Sequence, residues 1–162
     1  MSFFPMSRRQ YRIAIVILWC MSGAALLLGG LIYYRNDAAS LTLIAKLHNH
    51  WPEFDRHLHA LAAELPNWLV VPAMRAYAPD FLWAFALAIA LILIWHRVLR
   101  WRWLALLSIA AALSFEVAQG FGWVSGIFDW FDIMVSLVAA LFALLLVYFT
   151  ARGQSTEQND LV

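Results

Sequence analysis

The chain has 162 residues, 64% of them hydrophobic and 13% charged, with nine Trp and eleven Phe, which is too apolar for a soluble domain of this length. It reads as an all-α integral membrane protein whose first partner is the lipid bilayer. A net charge of +1 with no basic, aromatic-interleaved surface excludes a nucleic-acid partner, and the lone Cys20 excludes an internal disulfide and a Cys-rich metal framework.

Crossing a hydrocarbon core of about 30 Å takes roughly 20 apolar residues, and the chain offers runs for helices over 13–34, 77–96, 103–119 and 127–149. Together they predict a four-helix bundle forming a single membrane domain, 1–162. The first run follows Arg8, Arg9 and Arg12 as a signal peptide would, but it is longer than a usual signal core and lacks a small-x-small cleavage site. Trp19 also spoils a lipoprotein-type box at Cys20, so the run reads as an uncleaved anchor.

The loop 35–76 carries an apolar seam at Ile44, Leu47, Trp51, Phe54, Leu58, Leu61 and Leu65. Steps of three and four give one stripe on a helix, which Pro52 divides in two, so the loop reads as amphipathic helices on the membrane surface or over the bundle. His48, His50, His57 and His59 stand there beside Glu53, Asp55 and Glu64, which invites a metal-site reading. Residues two apart point in different directions on a helix, so neither His-x-His pair chelates one ion. Lys46, His50, Glu53 and His57 form a solvated stripe instead, and Asp55 with His59 is an ordinary i,i+4 pair. Pro66, Pro72 and Pro79 then predict an extended or re-entrant connection from Leu65 to Asp80, with Asp80 as N-cap of the second span.

Basic residues fix the expected orientation. Arg8, Arg9 and Arg12 precede the first span, Arg97, Arg100 and Arg102 fill the turn between the second and third, and Arg152 follows the fourth. These regions and both termini are expected in the cytoplasm, with loop 35–76 and the turn Gly120 to Gly126 outside. Trp95, Trp101 and Trp103 would form an inner aromatic belt, Trp123 and Trp130 an outer one, and the polar tail 152–162 is expected to be disordered.

The chemistry concentrates in the last two spans. Glu116 with Gln119, and Asp129 with Asp132, are three residues apart, so each pair shares a helix face. Each continues into small residues, Ser108 and Ala112 on one helix, Ser136, Ala140 and Ala143 on the other, a pattern that lets membrane helices approach closely. The two helices are therefore expected to form a tight hairpin whose acids meet near the outer leaflet, joined there by Asp80 and Arg75. Acids crowded in partly dehydrated surroundings must share protons, pair with Arg75 or bind a cation. A plain structural account makes Asp129 a cap and Asp132 a first-turn anion favoured by the helix dipole. Glu116 resists it, because it lies near a helix C-terminus where the dipole disfavours an anion.

Glu116-Val-Ala-Gln119, a Gly-containing loop, and Phe128-Asp129-Trp130-Phe131-Asp132 opening a small-residue-rich helix resemble the signature of VanZ-like proteins, Glu-x-x-Gln followed by Arg-x-x-Asp-x-x-Asp. The likeness covers roughly Ser114 to Ala143, with Pro79-Asp80 as a weaker second point. The chain departs from the pattern in having Gly122-Trp123-Val124-Ser125-Gly126 where many members have a basic residue, and Ser136 and Ala139 where Asn and Gly are frequent. Phe81 and Trp83 also stand near the start of the second span, where Lys and His are often found. The resemblance implies a multi-pass protein of the bacterial inner membrane, acting in envelope physiology or, like the family's namesake, in resistance to teicoplanin. Its ligand set would be Asp80, Glu116, Gln119, Asp129 and Asp132 with Arg75, facing a lipid or envelope amphiphile. Two other readings stay open: a divalent-cation enzyme on lipid-linked phosphate, with Asp129-x-x-Asp132 on the metal and Glu116 as acid or base, and an accessory subunit docked on a membrane protein partner. No cofactor is assigned.

Overall fold

A computed structural model describes residues 8–37, 49–123 and 128–152. They form five α-helices and one 3₁₀ turn: α1 (Arg8–Asp37), α2 (Pro52–Ala63), the turn Asn67–Val70, α3 (Pro72–Trp95), α4 (Trp101–Gly120) and α5 (Trp130–Arg152). Four of the helices, α1, α3, α4 and α5, are long and apolar enough to cross a membrane. Ile44, Leu47, Lys46, His48 and the tail from Gly153 onward lie outside the described residues.

Helix α3 begins five residues earlier than the expected start at 77, which overturns the extended connection to Asp80. Val71 is held extended, with ψ 151°, as the residue before a proline prefers, and Pro72 then takes the first helical position, where its missing N–H costs nothing. Pro79 lies inside the helix and is buried. It deprives only the Arg75 carbonyl of its i+4 donor, a defect that packed membrane helices tolerate. Asp80 is accordingly an interior residue of α3 and not its N-cap.

The turn after α4 is set by Gly122, whose φ is +70°. Gly122 N–H donates to the Gln119 carbonyl at 2.8 Å and Trp123 N–H to the Ala118 carbonyl at 2.9 Å, the paired bonds of a Schellman ending. Gly120 lies against the Phe128 ring, where a Cβ would come within 3.0 Å of Cδ2. The chain is thereby folded back into α5.

Neighbouring spans alternate in direction. Ser22 Oγ donates to the Ala86 carbonyl at 2.9 Å and Tyr33 packs on Trp83, so α1 and α3 are antiparallel. Trp101 packs on Tyr148 at one end of α4 and α5, and Gly120 on Phe128 at the other. Tyr77 meets Phe131 and Phe85 meets Phe142, so α3 and α5 run the same way. The expected hairpin of the last two spans is only part of the packing. The stripes Ser108, Ala112, Glu116 and Ser136, Ala140, Ala143 are buried, yet each helix packs more extensively on α3 than on its sequence neighbour. The reason lies in α3 itself: Ala84, Ala86 and Ala88 alternate with Phe85, Ile89 and Ile92, giving close approach and filler on several sides at once. Outward residues such as Leu27, Leu106 and Val138 stay exposed, as lipid-facing positions do.

Helix α2 has three different sides. Asp55 and Ala62 are buried, Trp51, Phe54 and Leu61 form an exposed apolar side, and Glu53 and Arg56 pair at 3.0 Å on an exposed charged side. Asp55 is no ordinary surface acid: it accepts a hydrogen bond from the Tyr34 hydroxyl at the end of α1. His59 Nδ1 lies 3.7 Å from its Oδ2, and the His59 ring stands edge-on to Tyr34. Arg35 donates to the Leu65 carbonyl and reaches Asn67 Oδ1 at 3.5 Å, fastening the end of the same segment. His57 and His50 are exposed, as the solvated-stripe reading has it.

Three substitutions test this packing. A Cβ on Gly29 would lie 2.7 Å from Trp83 Nε1 and 3.3 Å from Leu82 Cβ, whereas one on Gly23 of the same helix meets nothing within 4 Å. Gly29→Val is expected to destabilise the detergent-solubilised protein by about 1–3 kcal/mol in a denaturant titration, while Gly23→Ala is neutral or stabilising. Tyr34→Phe removes the donor to a buried carboxylate, a loss of about 1.5–3 kcal/mol for docking of α2. Maleimide labelling of a cysteine placed at the buried Ala62 is expected to quicken accordingly.

Candidate functional site

Three spans bring acidic side chains to one end of the bundle. Glu116, on the fifth residue from the C-terminus of α4, is 5% exposed. Asp80 enters from α3 and Asp132 from the first turn of α5, both half-buried, and Asp129 stands half-buried just ahead of α5. The level is set by the Tyr77–Phe131 contact, 6.2 Å between ring centroids, which aligns the early turns of α3 and α5. Glu116 lies within electrostatic reach of Asp132, Asp80 and Asp129, and Asp132 within reach of Asp80 and Asp129.

Their local supports differ. Asp129 Oδ1 accepts the Phe131 N–H at 2.9 Å, so Asp129 is the N-cap of α5, as the plain structural account has it. Asp132 sits three residues on, where the helix dipole favours an anion. Glu116 has neither support. Its Oε2 is buried and accepts no hydrogen bond from the described residues, and Ser108 Oγ, two turns deeper on the same face, is equally unpartnered.

Of the other residues expected here, Gln119 is half-buried one turn beyond Glu116, its carbonyl taken by the turn at Gly122. Arg75 is exposed in the first turn of α3, five residues ahead of Asp80 and hence about 140° around the helix from it. The acids thus come from three helices to one end of the bundle, and Arg75 stands in the first turn of α3. The end of the bundle opposite the acids holds Arg9, Arg12 and the turn with Arg97, Arg100 and Arg102.

Sequence reasoning missed two features. Tyr77, the aromatic that aligns α3 with α5, is the first residue of the expected second span, where nothing in the sequence singles it out. The Tyr34–Asp55–His59 cluster was hidden because Asp55 and His59 sit at ordinary i,i+4 spacing. The available signal was that both fall between the apolar seam and the charged stripe of α2, on a side left for a polar partner.

Comparisons of the chain with protein-family models, curated proteins and solved structures give no match.

The cap role of Asp129 separates cleanly from any charge role. Asp129→Asn keeps a capping oxygen and is expected to leave stability nearly unchanged, whereas Asp129→Ala costs about 1 kcal/mol, read as a shift in the unfolding midpoint of the purified protein.

Proposed function

We propose that this is a VanZ-like protein of the bacterial inner membrane, with both termini cytoplasmic, whose acidic pocket faces outward and binds an envelope component or amphiphile. Its place is in envelope physiology or protection from glycopeptide-type antibiotics. The observation that carries the reading is the buried oxygen of Glu116, which has no hydrogen-bond partner among the described residues and lies under the influence of Asp80, Asp129 and Asp132. A buried carboxylate oxygen without a donor costs several kcal/mol, on the order of the desolvation of a charged group, unless something occupies it.

Two further observations support it. The residues gathered are those of the VanZ-like motif, Glu116, Gln119, Asp129 and Asp132, with Asp80 from the weaker second point of likeness. The distribution of arginine supports the orientation: the arginine-bearing turn lies at the end away from the acids, and cytoplasmic turns retain arginine.

In a bacterium whose survival in teicoplanin depends on this protein, Glu116→Gln combined with Asp132→Asn is expected to abolish protection with expression and membrane insertion unchanged. Protection retained by the well-folded double variant would overturn the proposal.

A further inference from the structure

Charge in the bundle is sorted by end. Along α1, α3, α4 and α5 the acids are Asp37, Asp80, Glu116 and Asp132, each toward the end where the acidic cluster lies. Among the described residues the other end has no acid. It carries Arg9 and Arg12 at the start of α1, and Arg97, Arg100 and Arg102 around the turn from α3 to α4.

The two groups of arginines stand at one height. The bond from Ser22 to the Ala86 carbonyl fixes the register of antiparallel α1 and α3, and about 14 Å from it, at 1.5 Å per residue, lie Ile13 on one helix and Trp95 on the other. Arg12 follows Ile13, and Arg9 lies a turn further out, at the height of the turn that bears Arg97 and Arg100. The apolar spans stop at this height, at Arg12, Trp95 and Trp101. All five arginines are exposed, and none is ion-paired with a described residue. Arg102 lies 5.6 Å from the centre of the Trp103 ring, a contact with the ring face that uses none of its N–H donors.

Like charges gathered at the edge of a low-dielectric layer repel one another until an anion joins them. The surroundings favour an anion with a lipid body. Trp95, Val98 and Trp103 are exposed beside the arginines, and Ile13, Ile94 and Leu106 are exposed just inside the spans. A phospholipid whose acyl chains lie along these side chains brings its phosphate to the arginines. A guanidinium meets phosphate oxygens with two parallel N–H donors. A zwitterionic headgroup carries its own cation and leaves the excess charge standing, whereas an anionic one offsets it.

We infer that the arginine end of the bundle binds anionic phospholipid, its headgroup held by Arg97, Arg100 and Arg102 of the turn and by Arg9 and Arg12 of α1. The acyl chains lie along the exposed apolar sides of α1, α3 and α4. This surface is at the opposite end from the acids and independent of what they do.

The test uses the full chain in dodecyl maltoside micelles, titrated with phosphatidylglycerol or with phosphatidylcholine of the same acyl chains, and counts bound lipids by native mass spectrometry. Phosphatidylglycerol is expected to bind about fivefold or more tightly than phosphatidylcholine. Combining Arg97→Gln, Arg100→Gln and Arg102→Gln is expected to reduce that preference about threefold or more, while Arg56→Gln, which removes a charge at the other end, leaves it in place. Should the triple variant fail to fold, Arg9→Gln with Arg12→Gln on α1 carries the same comparison. Equal binding of the two lipids by the wild type overturns the inference, as does a preference untouched in the folded arginine variants or lost to the same extent with Arg56→Gln. Displacement of the lipid by millimolar glycerol phosphate also overturns it, because the surface then takes a soluble anion and not a lipid.

Discussion

The close packing of α3 against three other spans is the contact on which everything else rests. Between helices in lipid there is no hydrophobic gain to exploit, so association depends on fit and on hydrogen bonds across the interface. Helix α3 supplies the fit through Ala84, Ala86 and Ala88, and accepts from Ser22 through the Ala86 carbonyl. Gly29 lets α1 come down onto Trp83. Because α4 and α5 each pack more on α3 than on one another, the position of α3 decides whether Glu116 and Asp132 face a shared space or separate patches of lipid. Asp80 is the visible consequence, an acid that belongs to the pocket only because α3 runs between the other two.

Much of the fold was legible in the sequence because the membrane is a simple solvent. Length and apolar content of a run decide whether it crosses, and α1, α4 and α5 lie where the apolar runs do, with ends displaced by a few residues. The error at α3 has a physical cause. Three prolines between Leu65 and Asp80 look like punctuation in water, where a missing backbone bond is replaced by solvent at the expense of the helix. In a packed apolar helix the same proline is held in place by its neighbours, and Pro72 alone does the starting. The acidic pairs were legible for the opposite reason: ionisable residues in an apolar run are too expensive to be incidental. What spacing within one helix could not give was the hub, since which helix lies in the middle is a property of several surfaces at once.

Helix α2 shows the same limit from the other side. Its apolar seam and charged stripe were both readable, and both lie on exposed faces. The docking face is the one between them, and it is polar: Asp55 with the Tyr34 hydroxyl, and His59 edge-on to the Tyr34 ring. A helix with apolar, charged and docking sides has three surroundings to satisfy, and binary patterning describes only two. The apolar side of α2 is exposed and turned away from α1, so specificity for α1 has to come from directed hydrogen bonds.

The placement of charge along the bundle follows from the same constraint. Near the C-terminus of α4 the helix carbonyls are already negative, and Glu116 adds a carboxylate to them. The N-terminus of α5, with Asp129 as its cap and Asp132 in its first turn, lies opposite and offers a positive dipole end. One of those peptide groups, the Phe131 N–H, is occupied by Asp129, and Asp132 adds a second anion to the same turn. That imbalance is why a buried oxygen with no hydrogen-bond partner among the described residues is more informative here than the number of acids around it. Asp129 is satisfied within the fold as a cap, whereas Glu116 is set among further acids with no hydrogen-bond partner among the described residues, so stability alone does not account for it.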